Sequence, residues 1–365
     1  MSCLHRQMKL QVSNSPHIRD KATTASIMRD VVIALLPASV AAGFIFGVRS
    51  VVMIMVSVLS CVVFEFLSRK VMRRENTISD FSAVVTGILL ALNLPPTLPI
   101  YMVVLGSIFA IVVVKQMFGG LGNNFVNPAL AARIFLVIAF PKQMTFWTVR
   151  DGAFSFLNSI LGKDMVSSAT PLAQMRGAIA TSAVSSATPI QETASLPSLM
   201  SMFLGQKAGC IGEVCIVALL IGAAYLLVRK VIVPWIPLAY LGSFTILVLF
   251  FGHSPLFEAV SYDPLSADVW TSALYEPAFM LLSGGLILGA FFMATDYVTS
   301  PITTSGRILF GLGCGILTFL IRYYGNMAEG VSFAIIIMNI LTPNIDRLTM
   351  SKPFGERRVK KNATA

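Results

Sequence analysis

The stretch Asp164-Met165-Val166-Ser167-Ser168-Ala169-Thr170-Pro171-Leu172 holds the residues best suited to carry chemistry. It sets one threonine hydroxyl behind small residues, with a carboxylate upstream. Ser167, Ser168 and Ala169 leave room on Thr170 for a bulky group in ester linkage. Pro171 fixes its own φ and biases Thr170 toward extended backbone. Asp164 can hold a metal or orient a modifying enzyme. A membrane protein with a covalent redox group moves electrons, and a plain channel does not. The core recurs as Ser185-Ser186-Ala187-Thr188-Pro189, but there Ser182 stands where the first copy has Asp164. Thr188 is therefore the alternative acceptor, and a plain Ser/Thr-rich loop also satisfies the spacing.

The elements that position this loop are membrane spans. The chain has 365 residues, 56% hydrophobic and 12% charged, with mean hydropathy +0.79. Soluble domains are about a quarter charged, so this composition leaves too little polar surface to cover a globule. Residues 1–30 are polar and basic, unlike a signal peptide, and the first apolar run starts at Val31. The net charge of +10 brackets apolar runs rather than forming a stripe interleaved with aromatics. It reports topology, and nucleic-acid binding is not expected.

Apolar runs lie near 31–48, 50–67, 80–94, 98–115, 127–140, 210–228, 234–251, 278–295, 306–322 and 330–343. They predict an all-α polytopic protein of about ten transmembrane helices. Basic residues gather in the N-terminal arm, at Arg69, Lys70, Arg73 and Arg74, at Arg229 and Lys230, and in the tail from Arg347 to Lys361. By the positive-inside rule both termini are cytoplasmic and the Thr170 loop is outside. The expected organisation is a cytoplasmic arm (1–30), a first five-helix repeat (31–140), an extracytoplasmic loop (141–209), a second five-helix repeat (210–343) and a basic cytoplasmic tail (344–365). Two five-span halves must run in opposite senses, the arrangement of an inverted repeat. Each half is interrupted at its third span, at Asn93-Leu94-Pro95-Pro96-Thr97-Leu98-Pro99 and from Ser283-Gly284-Gly285 to Pro301. Such paired interruptions mark a midplane pathway, although Pro and Gly also end ordinary helices.

Phe118-Gly119-Gly120-Leu121-Gly122-Asn123-Asn124 suits either a phosphate cradle or a re-entrant turn. Asn127 is the expected N-cap of the span that Pro128 opens. Asp296 is a candidate for an ion path or an interfacial residue. Arg133, inside a span, needs a carboxylate or a flavin phosphate as partner. Glu213 reads as interfacial. The cysteines Cys3, Cys61, Cys210, Cys215 and Cys314 are scattered and read as small buried hydrophobes, with no metal-ligand set. Cys61 and Cys314 are open to mutual approach. His5, His17 and His253 lie outside the spans, which argues against haem ligation.

Together these strings resemble one family, the D subunit of the Rnf complex, related to the B subunit of the sodium-pumping NADH:quinone oxidoreductase. The resemblance covers nearly the whole chain. It rests on Ser15-Pro16-His17-Ile18-Arg19, Leu94-Pro95-Pro96-Thr97-Leu98-Pro99, Phe118-Gly119-Gly120-Leu121-Gly122, Asn127-Pro128-Ala129-Leu130, Phe291-Phe292-Met293-Ala294-Thr295-Asp296 with Thr299-Ser300-Pro301, Gly330-Val331-Ser332 and Leu341-Thr342-Pro343.

The resemblance implies a urea-transporter-like fold and FMN in a phosphoester to threonine within Asp-x-x-Ser/Thr-x-Ala-Thr. That motif falls on Asp164, Ser167, Ala169 and Thr170, and a flavin transferase using FAD would load it. It also implies a second, noncovalent flavin, riboflavin, and partnership with the other membrane, flavin and iron–sulfur subunits. The implied setting is the bacterial or archaeal cytoplasmic (inner) membrane and its lipid. The implied function is electron relay in an ion-translocating ferredoxin:NAD oxidoreductase, coupled to Na⁺ or H⁺. The subunit is not catalytic alone, because no iron–sulfur ligand set or dinucleotide fingerprint is present. The competing expectation is a solute channel or secondary transporter of the same repeat without redox chemistry.

Overall fold

The computed structural model describes residues 23–150, 165–167, 169–174, 198–205, 207–213, 215–252, 269–325 and 329–350. Two long helices open the chain. α1 (Thr24–Phe46) starts at a capping box between Thr23 and Ser26, which satisfies amide donors that a helix start leaves open. α2 (Val48–Val71) follows the Gly47 turn. Both present large apolar side chains outward, among them Leu36, Val40, Phe44, Met55 and Leu59. Such a surface suits lipid rather than water.

α3 (Ser82–Leu92) is short and stops at Asn93, because Pro95 and Pro96 lack the amides needed to continue it. α4 (Ile100–Ile108) continues through a π-helical turn at Phe109–Gln116. The glycine segment then reverses the chain, with left-handed φ of 123° at Gly119 and 99° at Gly120. α5 (Pro128–Ala139) starts as the sequence predicts: Asn127 Oδ1 accepts from the Ala129 amide at 3.0 Å, with Pro128 in the first turn. A short α6 (Pro141–Met144) leads to a two-stranded antiparallel ribbon, β1 (Thr148–Arg150) on β2 (Met165–Ser167), the one non-helical element among the described residues.

The second part begins with α7 (Leu199–Leu204) and continues through α8 (Ile216–Val228) and α9 (Trp235–Phe251). α10 (Val269–Leu282) breaks at residues 283–285. α11 (Leu286–Leu288) then runs into a π-helical turn at Gly289–Met293, bent 70° from the preceding helix. α12 (Thr304–Tyr324) and α13 (Val331–Thr349) complete the bundle. By length and composition α1, α2, α12 and α13 can each cross a membrane, and the bent pair makes a fifth. Shorter apolar helices include α3, α5, α8 and α9.

Helix packing uses small residues where backbones meet. On α12, Gly311 and Gly315 are one turn apart and face α9: a Cβ on Gly311 would stand 2.8 Å from the Ile236 carbonyl oxygen. Lipid offers little drive to bring apolar helices together, so close backbone approach supplies it. Beside this contact the Tyr240 hydroxyl and Thr318 Oγ1 lie 2.6 Å apart. Cys61 and Cys314 sit in separate packed clusters and carry free thiols. Gly311→Leu should overpack the α9/α12 seam at a cost of about 1–3 kcal/mol. A lower unfolding midpoint of the detergent-solubilised protein is the expected result.

Candidate functional site

Inside a membrane, a helix that stops short exposes carbonyls that no water can satisfy. The break after α3 is repaired from the other part of the chain. The Ile211 amide donates to the Leu94 carbonyl at 3.0 Å and the Gly212 amide to the Leu92 carbonyl at 2.8 Å. The Cys210 thiol donates to the Asn93 carbonyl at 3.3 Å. The break after α10 is repaired by cations. Lys207 Nζ donates to the Leu282 carbonyl. Arg322 donates from Nη1 to the Met280 carbonyl (2.7 Å) and from Nη2 to the Ser283 carbonyl (3.0 Å). Positive charge there also opposes the negative end of the α10 dipole. Gly284 turns with φ 67°, and the Arg322 guanidinium lies 2.7 Å from where a Cβ would be.

Between the breaks sits Arg133 of α5, buried at 5% exposure. Its Nη1 donates to Asn93 Oδ1 (3.1 Å) and Ser332 Oγ (3.0 Å), and its Nη2 to Cys210 Sγ (3.4 Å) and Glu329 Oε2. The carboxylate that the sequence reading asks for is thus Glu329, next to the start of α13. Glu213 is buried beside them. The thiol of Cys210 and one oxygen each of Glu213 and Glu329 lie within 4.8 Å of one another.

Thr170 reaches the same end of the bundle. It heads a helical turn at residues 171–174: its Oγ1 accepts from the Ala173 amide at 3.2 Å, and its carbonyl from the Gln174 amide at 2.9 Å. Leu172 packs against Gly284, at the face that Arg322 also touches. That packing draws the turn inward, so Thr170 is only 3% exposed, where the sequence reading expects room on its hydroxyl for a bulky group. Ser167 contributes backbone pairing in β2, opposite Thr148. Ala169 is exposed, and its carbonyl accepts from Gln174 Nε2 at 3.0 Å. Asp164, Ser168 and Thr188 lie outside the described residues.

At the opposite end, where α1 starts, a cavity of about 790 Å³, counting its open mouth, lies among α1, α3, α5, α8 and the turn after α11. Its lining includes Thr86, Lys115, Asn124, Asn127, Phe291 and Asp296. Lys115 is held by Glu65 Oε2 at 2.9 Å and by Ser82 Oγ at 2.8 Å. Asp296 is half-buried and accepts from Thr299 Oγ1 at 3.3 Å, and burial pushes its carboxyl above the ordinary range. The glycine segment forms one rim through Leu121 and Asn124.

Sequence reasoning singled out Arg133, Asp296 and the breaks themselves. It did not find the joint of Lys207, Cys210, Glu213 and Glu329, which are distant in sequence from Arg133 and Asn93. The signal that was present is Gly209-Cys210-Ile211-Gly212-Glu213, a glycine-flanked carboxylate at the mouth of an apolar run.

A family profile described as the NQR2, RnfD, RnfE family matches residues 11–355. The chain is 42% identical over 361 residues to the D subunit of the Na(+)-translocating ferredoxin:NAD(+) oxidoreductase complex of Acetobacterium woodii, covering 98% of this chain and 99% of the relative. It is 38% identical over 349 residues to the D subunit of the proton-translocating ferredoxin:NAD(+) oxidoreductase complex of Clostridium ljungdahlii, covering 95% and 96%. It is 36% identical over 358 residues to the D subunit of the ion-translocating oxidoreductase complex of Alcanivorax borkumensis, covering 96% and 98%.

Removing one partner of a buried pair leaves the other charge uncompensated, at about 3–5 kcal/mol. Arg133→Met and Glu329→Gln should each lower stability by that order, and the double variant by less than the sum. Denaturant midpoints in detergent measure the cycle, and strict additivity would show that the pair is not coupled.

Proposed function

The chain belongs to the NQR2, RnfD, RnfE family, and from that membership we propose that it is the flavin-carrying membrane subunit of an ion-translocating ferredoxin:NAD oxidoreductase complex. The observation that carries the reading is the placing of Thr170: its turn is seated by Leu172 at the break after α10, at one end of a buried polar seam. The seam runs through Arg133, Asn93 and Asn127 to the cavity at the opposite end.

In this reading the fold is a ten-crossing inverted repeat, with α1–α5 matched to α8–α13. Its support is that the equivalent helices α1 and α8 pack together, as do α5 and α13, and that each half breaks at its third crossing. Both termini and the cavity face the cytoplasm, and Thr170 faces outward, in agreement with the basic residues flanking the spans.

The chain's residues fit a phosphoester-linked FMN at Thr170. The hydroxyl oxygen accepts the Ala173 amide, and an ester oxygen keeps that acceptor role. Arg322 and Lys207 put positive charge at the mouth where the phosphate would lie. Because the residue is buried, loading by a flavin transferase precedes the seating of the turn. When bound, FMN supplies one- or two-electron transfer. Pro171 and Leu172 hold the attachment point against the bundle. Ser167, Ser168 and Ala169 are small and leave room for the flavin phosphate, and Asp164 has the role of orienting the loading enzyme.

A noncovalent flavin, riboflavin, is assigned in this reading to the cytoplasmic cavity, for the apolar and polar groups that line it. Phe291 and Phe292 offer flat apolar walls, while Asn124, Asn127 and Lys115 offer polar contacts. Asp296 at the same cavity is placed on the ion path, and the other subunits of the complex supply the iron–sulfur and further flavin centres.

Two experiments test this reading. Protein from cells expressing the flavin transferase should give a fluorescent band in a denaturing gel under ultraviolet light. Thr170→Ala should abolish it, and loss only in Thr188→Ala would move the site to the second copy. A dark wild-type band would favour a channel without redox chemistry. Asp296→Asn should lower ion uptake by vesicles holding the complex, and unchanged uptake would remove Asp296 from the path.

A further inference from the structure

The last turn of α2 carries a buried cation without a counter-charge. Arg69 is 8% exposed and forms no ion pair among the described residues. Its Nη1 donates to the Glu75 carbonyl at 3.2 Å. Its Nη2 lies over Gly120, where a Cβ would collide with it. Neither Nη2 nor the buried Nε takes an acceptor among the described residues. Burying a charged donor without a partner is costlier than burying a neutral one. Arg74 meets the same turn: its Nη1 donates to the Gln116 carbonyl at 3.4 Å, and that carbonyl also accepts from the Gly119 amide at 3.1 Å. Two guanidiniums therefore flank the glycine segment. That segment offers further donors, because the amides of Leu121 and Gly122 have no acceptor among the described residues. Gly122 is exposed with φ 90°, and a Cβ there would meet open space.

The charges around this turn leave a positive surplus. Lys115 of the π-helical turn is matched by Glu65 at 2.9 Å. Arg69, Lys70, Arg73 and Arg74 remain, against Glu75 and Asp80, neither of which forms an ion pair among the described residues. The dipole at the end of α2 adds only about half a unit of negative charge, so the cluster stays net positive. Paired guanidiniums beside open glycine-turn amides suit a phosphate in particular. The neighbouring side chains indicate where that phosphate comes from. Val71, Met117, Phe118 and Phe125 are all exposed, and Phe118 meets Phe125 edge to face at 5.1 Å. Exposed apolar side chains next to exposed arginines mark the level at which acyl chains give way to headgroups. A free phosphate would leave those side chains uncovered.

We propose that Arg69, Arg74 and the amides of Leu121 and Gly122 bind the phosphate of an anionic phospholipid, whose acyl chains lie on Val71, Met117 and Phe118. On the orientation proposed above, this end lies in the cytoplasmic leaflet, where anionic lipid attracts basic segments. Bound there, the lipid braces the end of α2 against the segment that rims the cavity. The cavity is lined by Leu121 but by neither arginine, so the site needs no flavin.

The test uses the full chain in its complex, extracted and washed in a neutral maltoside detergent. A phosphatidylglycerol with a diazirine near the glycerol end of its acyl chains is titrated in and illuminated, and the adducts are mapped by mass spectrometry of peptides. Adducts should gather on residues 66–74 and 117–125, and unlabelled phosphatidylglycerol should compete with them. Phosphatidylcholine and inorganic phosphate at the same concentration should not. Arg69→Gln risks the packing of the turn, so the deciding variant is the exposed Arg74→Gln. It should raise the half-saturating lipid concentration about fivefold, the worth of one basic residue near an anionic surface. Arg347→Gln, which removes an exposed charge from the same end of the bundle, should leave it unchanged. Equal shifts in the two variants would mean general surface charge and overturn the site. So would equal competition by phosphatidylcholine or inorganic phosphate, or adducts absent from both segments while the rest of the chain is labelled. Detergent opens both ends of the bundle to the probe, so a wrong orientation leaves these outcomes unchanged.

Discussion

The constraint on which the bundle depends is the fate of backbone carbonyls where α3 and α10 stop short. A polar group left open in the interior of a membrane protein is costly, so each break has to be closed by a donor brought from elsewhere. Residues 210–212 close the first with two amides and a thiol. Lys207 and Arg322 close the second with charge. Both sets of donors converge on the space that Arg133 occupies, so the polar groups there follow from the breaks. Chemistry becomes available where the helices are interrupted.

The same logic distributes polarity along the bundle. From the Thr170 turn inward come Arg322 and Lys207, then Arg133 with its two glutamates, then Asn93 and Met293, then Asn127, and last the cavity with Lys115 and Asp296. Between Ile33 and Phe44 on α1 and between Val51 and Leu67 on α2, the exposed residues are Ile, Leu, Val, Met and Phe. Among the described residues, that line gathers Arg322, Lys207, Arg133, Glu213, Glu329, Lys115 and Asp296 inside the bundle, away from these apolar faces.

Much of this was legible in the sequence wherever the cause is local. Pro95 and Pro96 mark the end of α3, and Asn127-Pro128 marks the start of α5, because proline removes an amide and asparagine supplies a cap regardless of what packs nearby. The breaks were visible for the same reason. What closes them was not. Cys210 reads as a small hydrophobe and Glu213 as an interfacial acid until the fold places them against Asn93 and Arg133. Lys207 reads as a loop charge until its ammonium meets the end of α10. The burial of Thr170 was equally hidden, because it follows from Leu172 finding Gly284 more than a hundred positions away. Pairings across such separations leave no trace in local spacing.

The closing of the first break has a consequence for biosynthesis. The ribosome delivers Leu92 and Leu94 to the membrane well before it has made Ile211 and Gly212. Until those amides arrive, the nascent first half holds two carbonyls with their final donors still unmade. It must wait near the translocon, or in a locally hydrated defect, and cannot settle as an independent unit. Cutting the gene between the halves would then yield an N-terminal fragment that the membrane's quality-control proteases degrade, unless the second fragment is synthesised alongside it.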